Sequence, residues 1–313
     1  MQRIRLNYTM LLLLLLGITG IPAAKACDAC GCSSGGNFVG LLPQFNKKFV
    51  GIRYKNSLFS VDPSKLQGLD AHNDQFEHKD SYTTTELWAR FFPAKRVQLM
   101  AFVPYSVNSK TENGTTNTIS GIGDMSAIAS YVVFNTTDSL DHRFRQAFLL
   151  GGGVKLPTGK YQQRDNDKVL YPQPFQVGTG AYSLLINGIY TARIDKWGFN
   201  LNANYSVNGK AENGYHFGNN LSAAASFFYW YRGREFSLIP NVGLFSESSR
   251  PDTQYNVDQV LTTKDHSYLT LGNEFYFYRY ALGFNYHLPV GVQNPTSSPV
   301  SNGRVFATFS VVF

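Results

Sequence analysis

Along most of this chain, apolar and polar residues alternate with a period of two. In "RVFATFSVVF" (304–313), Val305, Ala307, Phe309, Val311 and Phe313 share one face, and Arg304, Thr308 and Ser310 share the other. Residues 97–107 repeat the pattern with Val97, Leu99, Ala101, Val103, Tyr105 and Val107 in one apolar row. In 199–208, Phe199, Leu201, Ala203, Tyr205 and Val207 alternate with Asn200, Asn202, Asn204, Ser206 and Asn208. This periodicity predicts half-buried strands, here twelve of them: 48–60, 81–92, 97–107, 121–134, 143–156, 176–191, 196–207, 217–231, 235–246, 264–278, 280–289 and 303–313. The connections alternate in length. Stretches 93–96, 194–196 and 232–234 are short, and 61–80, 108–120, 157–175, 247–263 and 290–302 are long.

An even number of antiparallel strands with short turns at one end and long loops at the other is the layout of an outer-membrane β-barrel. The competing reading is a soluble sandwich. Soluble strands run to about 5–6 residues and membrane-crossing strands to about 9–11, and the segments here have the longer length. Aromatic clusters at strand ends (Phe91 and Phe92, Tyr229 to Tyr231, Phe275 to Tyr280) match interfacial girdles. Hydrocarbon offers no partner to an open sheet edge, so the last strand is expected to pair with the first. Phe313, ending an alternating strand, resembles the assembly signal of outer-membrane barrels and implies barrel-assembly machinery as a partner. The expectation is an all-β, transmembrane antiparallel barrel of about 12 strands over 47–313, in contact with outer-membrane lipid, with periplasmic turns and extracellular loops.

Composition fits this. Aromatics make up 15% of the chain against 16% charged residues, an unusual balance for a soluble secreted protein. Arg3 and Arg5, the apolar run Met10 to Ile18, Pro22 and the small-residue stretch Ala24-Lys25-Ala26 read as a secretory signal over 1–26. Its removal takes three of the 28 basic residues and none of the 21 acids, leaving 25 − 21 = +4. No cluster of basic residues interleaves with aromatics, so nucleic acid is not expected as a partner.

If the apolar rows face lipid, the opposite rows line a lumen. They include Arg53, Lys55, Glu86, Arg90, Asp124, Arg143, Arg145, Lys155, Asn200, Asn202, Asn204 and Glu274, with Asn241, Asn285 and His287. Twelve strands lie between filled eight-stranded barrels and wide 16–18-stranded porins. A narrow conduit for small solutes and a lumen closed by pairs such as Glu86 with Arg90 both remain open. The stretches "GIGDM" (121–125) and "GGGVKLPTGK" (151–160) resemble signatures of an outer-membrane transporter family associated with phenol degradation, which implies a channel-forming barrel. Their glycines also have a local explanation, since they remove side chains where a strand bends or another backbone approaches.

All cysteines fall in "CDACGCS" (27–33): Cys27, Cys30 and Cys32, within a flexible periplasmic segment at 27–46. Three thiols at this spacing can converge on a soft ion, and without an adjacent histidine they suit Cu(I) better than a closed zinc site. The head resembles that of a group of outer-membrane proteins suspected of metal handling. A disulfide with a spare thiol and a lipidated Cys27 are the other readings. In residues 70–80 ("DAHNDQFEHKD"), His72, Asp74, Glu77, His78 and Asp80 could ligate a divalent ion at the outer rim, but a solvated polar loop is the favoured reading, and His216, His266 and His287 carry no assigned role. No catalytic constellation stands out, so an enzyme is not expected. The functional expectation is an outer-membrane channel for small solutes, with a metal-linked head. The alternative is a closed barrel serving as a platform for that head.

Overall fold

The computed structural model describes residues 47–61, 78–112, 114–136, 143–165, 167–259, 262–290 and 300–313. The signal and the cysteine segment read from the sequence lie outside the described residues. The first strands are β1 (Phe49–Val61), β2 (His78–Ala94), β3 (Val97–Glu112), β4 (Thr115–Ile122), β5 (Ser126–Asn135) and β6 (Phe144–Lys155). Then come β7 (Ser183–Ile194), β8 (Trp197–Asn208), β9 (Tyr215–His216), β10 (Asn220–Tyr229), β11 (Tyr231–Arg232) and β12 (Phe236–Ser249). The last are β13 (Asp252–Gln254), β14 (Val257–Gln259), β15 (Lys264–Phe277), β16 (Tyr280–Val290) and β17 (Val300–Val312). β4 and β5 both pair with β3 and together make one interrupted stave. Counted so, twelve staves run antiparallel around a closed cylinder, sealed where β1 pairs with β17.

Alternation along each strand explains why the sheet closes on itself. On β7, Ser183, Leu185, Asn187, Ile189 and Thr191 are buried, while Leu184 and Ile186 between them are 61% and 51% exposed. β1 does the same, with Phe49, Arg53, Ser57 and Phe59 inside and Val50, Ile52, Tyr54 and Leu58 outside. Repeated around the cylinder, this gives a skin of exposed Leu, Ile, Val and Phe over a polar interior. In water such a skin would cost about 25 cal/mol per Å²; in hydrocarbon it is the stable arrangement, and closure leaves no unpaired edge. The chain is an outer-membrane barrel. No helix among the described residues is long and apolar enough to cross a membrane.

The short turns lie at one end, β7 to β8 through Asp195 and β15 to β16 through Tyr278. Both residues take positive φ (51° and 52°), as two-residue hairpin turns require. Near this end Trp197 stacks on Phe227 (5.3 Å) and Tyr280 on Phe309 (6.1 Å), part of an aromatic girdle. At the opposite end, β9, β13 and β14 form a small sheet. There the Asp252 carboxylate accepts the Tyr215 hydroxyl (2.6 Å) and the Gly218 N–H (2.7 Å). Burial pushes that carboxyl above its ordinary value, opposed by the two hydrogen bonds.

Several strand boundaries differ from the periodicity: β3 runs on to Glu112 and pairs with β4 from Thr115, across the stretch 108–120 expected as a long loop, and β12 extends to Ser249. The strand expected at 121–134 starts at Thr115 and breaks at 123–125. The one expected from 176 begins at Ser183, because 176–182 belongs to an inserted segment described below. The one expected at 217–231 spans Asn220–Tyr229.

Candidate functional site

The break in the fourth stave is where the two glycine-rich stretches meet. The Asp124 carboxylate accepts the Gly159 N–H (3.0 Å) on one oxygen and the Thr179 N–H (2.9 Å) on the other. The Thr158 hydroxyl donates to the Gly123 carbonyl (2.8 Å) and accepts the Met125 N–H (2.9 Å). These contacts fold 156–182 back against the barrel. Gly159 and Gly178 lie backbone to backbone, and a Cβ on Gly178 would collide with Gly159 main-chain atoms. The second motif needs its glycine at that crossing, and the aspartate of the first holds the crossing shut.

Within the segment, Gln176 is 0% exposed and acts as an internal strut. Its Oε1 accepts the Gln163 N–H (2.9 Å), and its Nε2 donates to the carbonyls of Gln163 (3.0 Å) and Tyr171 (3.0 Å). Asn108 on β3 donates to the Phe175 carbonyl (2.7 Å). Phe175 and Val177 are thereby seated among Phe59, Tyr82 and Ile119, inward residues of β1, β2 and β4 near the long-loop end. Replacing Gly178 by alanine is expected to unseat the segment while the cylinder survives. Trypsin should then cut the folded barrel at Lys160, Arg164 or Lys168 at least tenfold faster than wild type, on the order of 1.4 kcal/mol of lost closure. Equal cutting rates would show that the crossing does not hold the segment.

From this seat a chain of rings descends into the lumen. Tyr171 meets Phe175 (5.4 Å), Phe175 meets Tyr82 (6.4 Å), and Tyr82 meets Phe59 (5.9 Å). Phe59 leads to His266 (6.1 Å), His266 to Tyr268 (6.2 Å), Tyr268 to His287 (5.9 Å), and His287 to Phe306 at mid-depth (4.5 Å). These separations fall within the range aromatic pairs prefer. Beside the rings, Arg304 makes a two-pronged contact with Glu247, one prong at 3.1 Å, and its guanidinium lies over Tyr268 at 4.4 Å. Arg304 and Glu247 are each 1% exposed.

Around and below this layer the remaining inward residues divide by chemistry. Arg53 and Lys55 converge on Glu86, with Arg53 Nε at 2.7 Å and Lys55 Nζ at 3.5 Å. Across the lumen is an amide ladder in which Asn187 donates to Asn204 (2.6 Å), Asn204 to Asn202 (2.8 Å) and Asn200 to Thr191 (2.6 Å). Toward the short turns, two apolar clusters share Val312. One is Phe49, Trp88, Met100, Phe102, Ile128 and Leu185, and the other Phe228, Ile239, Tyr276 and Ala281. Gly153 stands opposite both Ile128 and Leu185, and its missing side chain lets them meet. In this conformation the mid-lumen is filled by side chains.

The residues singled out from the sequence therefore separate. Arg53, Lys55 and Glu86 form one cluster, and Asn200, Asn202 and Asn204 form the ladder. Glu274 is buried beside Gly283 and Thr308. Arg145 and Lys155 are half-buried on β6. Arg90 does not pair with Glu86. Register places Arg53 opposite Glu86 and Arg90 opposite Phe49, so Arg90 packs over the Phe49 ring (4.9 Å) and donates to the Lys47 carbonyl (2.9 Å). Asp124 sits in the stave break as a clasp, away from the wall position expected of it. Arg143 precedes β6 and is exposed, bound to Asp195 (2.9 Å) outside the lumen. Cys27, Cys30 and Cys32 lie outside the described residues, among which no three His, Cys, Asp or Glu side chains group as metal ligands. The sequence reading missed His266 and Tyr268. Their inward parity on β15 was the available signal.

A family model described as "Putative MetA-pathway of phenol degradation" matches residues 70–281, more than half of the chain. No curated protein matches the sequence. Among solved structures, the chain is similar to the beta domain of the Bordetella autotransporter BrkA (11% identity, 86% of this chain and 100% of that one, TM-score 0.48). It is also similar to the translocator domain of the autotransporter NalP from Neisseria meningitidis (10% identity, 90% and 91% covered, TM-score 0.38). A third is a Pseudomonas aeruginosa FadL homologue (10% identity, 85% and 89% covered, TM-score 0.34).

Proposed function

The chain belongs to the family described by the MetA-pathway of phenol degradation, and from that premise we propose that it is a gated outer-membrane conduit for small solutes carrying an aromatic ring. The observation that carries this reading is the unbroken series of rings from Tyr171 and Phe175, on the clasped segment, to Phe306 at mid-depth. A planar solute at the mouth would replace the ring contact that Phe175 makes with Tyr82. Phe175 thus occupies the lumen's own ring site; displacement of the segment opens that site, and passage beyond it also requires the side chains that fill the mid-lumen to rearrange. The Arg304–Glu247 pair supplies a polar edge for a hydroxyl without leaving a charge unpaired. No catalytic role is assigned to the barrel.

Phenol itself diffuses through lipid, so the test uses a membrane-impermeant pair. Proteoliposomes containing the barrel are expected to take up phenyl β-glucoside about tenfold faster than methyl β-glucoside, with ring contacts contributing ~0.5–1.5 kcal/mol each. Replacing Tyr268 by leucine should reduce that preference. Equal uptake of the two glucosides would refute ring recognition. The cysteine head enters as a separate proposal, that Cys27, Cys30 and Cys32 bind Cu(I) beside the periplasmic mouth; a Cu(I) titration unchanged in the triple serine variant would reject it.

A further inference from the structure

At the short-turn end of the lumen, Trp230 extends the inward row of β10 and packs against the apolar cluster of Phe228, Ile239, Tyr276 and Ala281. Two guanidiniums lie over its ring, Arg193 at 4.3 Å and Arg232 at 5.0 Å. Neither is in an ion pair among the described residues. The nearby Asp195 carboxylate is held by Arg143 through contacts of 3.0 and 2.9 Å, leaving Arg193 only the Asp195 main-chain carbonyl (3.1 Å). Arg145 stands opposite Arg193 on β6 and adds positive field. Among the described residues, the buried indole Nε1 has no hydrogen-bond acceptor.

Like charges gathered on one ring repel each other, and an orphaned buried donor costs free energy. An anion bound by the two guanidiniums relieves the first. A carboxylate matches the guanidinium forks, and an aromatic body stacks on a guanidinium plane as the indole does. We propose that Trp230, Arg193 and Arg232 form a binding site for small aromatic carboxylates at the periplasmic mouth. Its role as an exit site rests on the conduit reading, but the binding does not.

The experiment titrates the folded, detergent-solubilised barrel with sodium benzoate, following tryptophan fluorescence, with sodium acetate and sodium phosphate as comparison anions. Saturable quenching by benzoate is expected, at least tenfold weaker in the Arg193→Gln/Arg232→Gln double variant and absent in Trp230→Phe. Heat-modified gel mobility verifies that each variant is folded. Binding unchanged in the double variant, or acetate and phosphate binding as tightly as benzoate, would overturn the assignment. The glucoside assay separates the two claims. Phenyl β-glucoside uptake without benzoate binding defeats the site and leaves the conduit, and benzoate binding without ring-selective uptake does the reverse.

Discussion

Replacing Glu247 by alanine is expected to lower the stability of the folded barrel by about 3–5 kcal/mol, the usual cost of stranding one partner of a buried ion pair. Arg304 is 1% exposed and has Glu247 as its carboxylate partner, so the variant leaves a guanidinium in the lumen wall between Tyr268 and Phe59 with its counter-charge removed. The size of the effect depends on the stranded charge more than on the lost bond. The double variant Glu247→Leu/Arg304→Met removes both desolvation costs and should recover most of the loss, because well-packed apolar replacements of buried pairs are often neutral or stabilising. Guanidinium unfolding in micelles, followed by tryptophan fluorescence, measures both. A single variant within 1 kcal/mol of wild type would mean that water reaches Arg304, contrary to the filled mid-lumen.

The second large effect belongs to the outer face. Leu271 lies at the middle of β15, 46% exposed, paired with lipid-facing Val242 on β12. An arginine there places a charge near the centre of the hydrocarbon, at a cost of about 2–4 kcal/mol, whereas Phe277→Arg, at the short-turn end of the same strand, should cost only about 0–1 kcal/mol. The contrast within one strand is the test, since a soluble sandwich would show no dependence on depth. Equal penalties at the two positions in refolding from denaturant into bilayers would contradict the membrane orientation.

How much of this was readable beforehand follows from the range of each interaction. Parity along a strand is local, and it separates the Phe199 and Leu201 face from that of Asn200 and Asn202 without knowledge of any partner. It fails where a strand stops. Alternation carried one residue past Phe144 puts Arg143 on the wall, and a stave continuous through Gly123 puts Asp124 there; the strand begins at Phe144 and the stave breaks at 123–125. The ring chain lay beyond such reasoning for another cause. Its members come from β1, β2, β15, β16, β17 and the segment 156–182, and only closure of the cylinder sets them beside one another. His287 was placed inward, yet nothing near it in sequence names Phe306 as its neighbour. The two glycine-rich stretches were legible as special backbone but not as one clasp, because Asp124 meets Thr179 across 55 residues of chain.

At the seam, the Phe313 N–H reaches the Lys48 carbonyl at 2.9 Å, so the two extremities of the barrel are already neighbours. A ring has no first stave, and nothing in its geometry would change if the polypeptide were opened at another hairpin and rejoined there. What distinguishes β1 is time alone. It is synthesised earliest and must keep one raw edge waiting until β17 arrives, so the hazard of mispairing during biogenesis is concentrated on that strand.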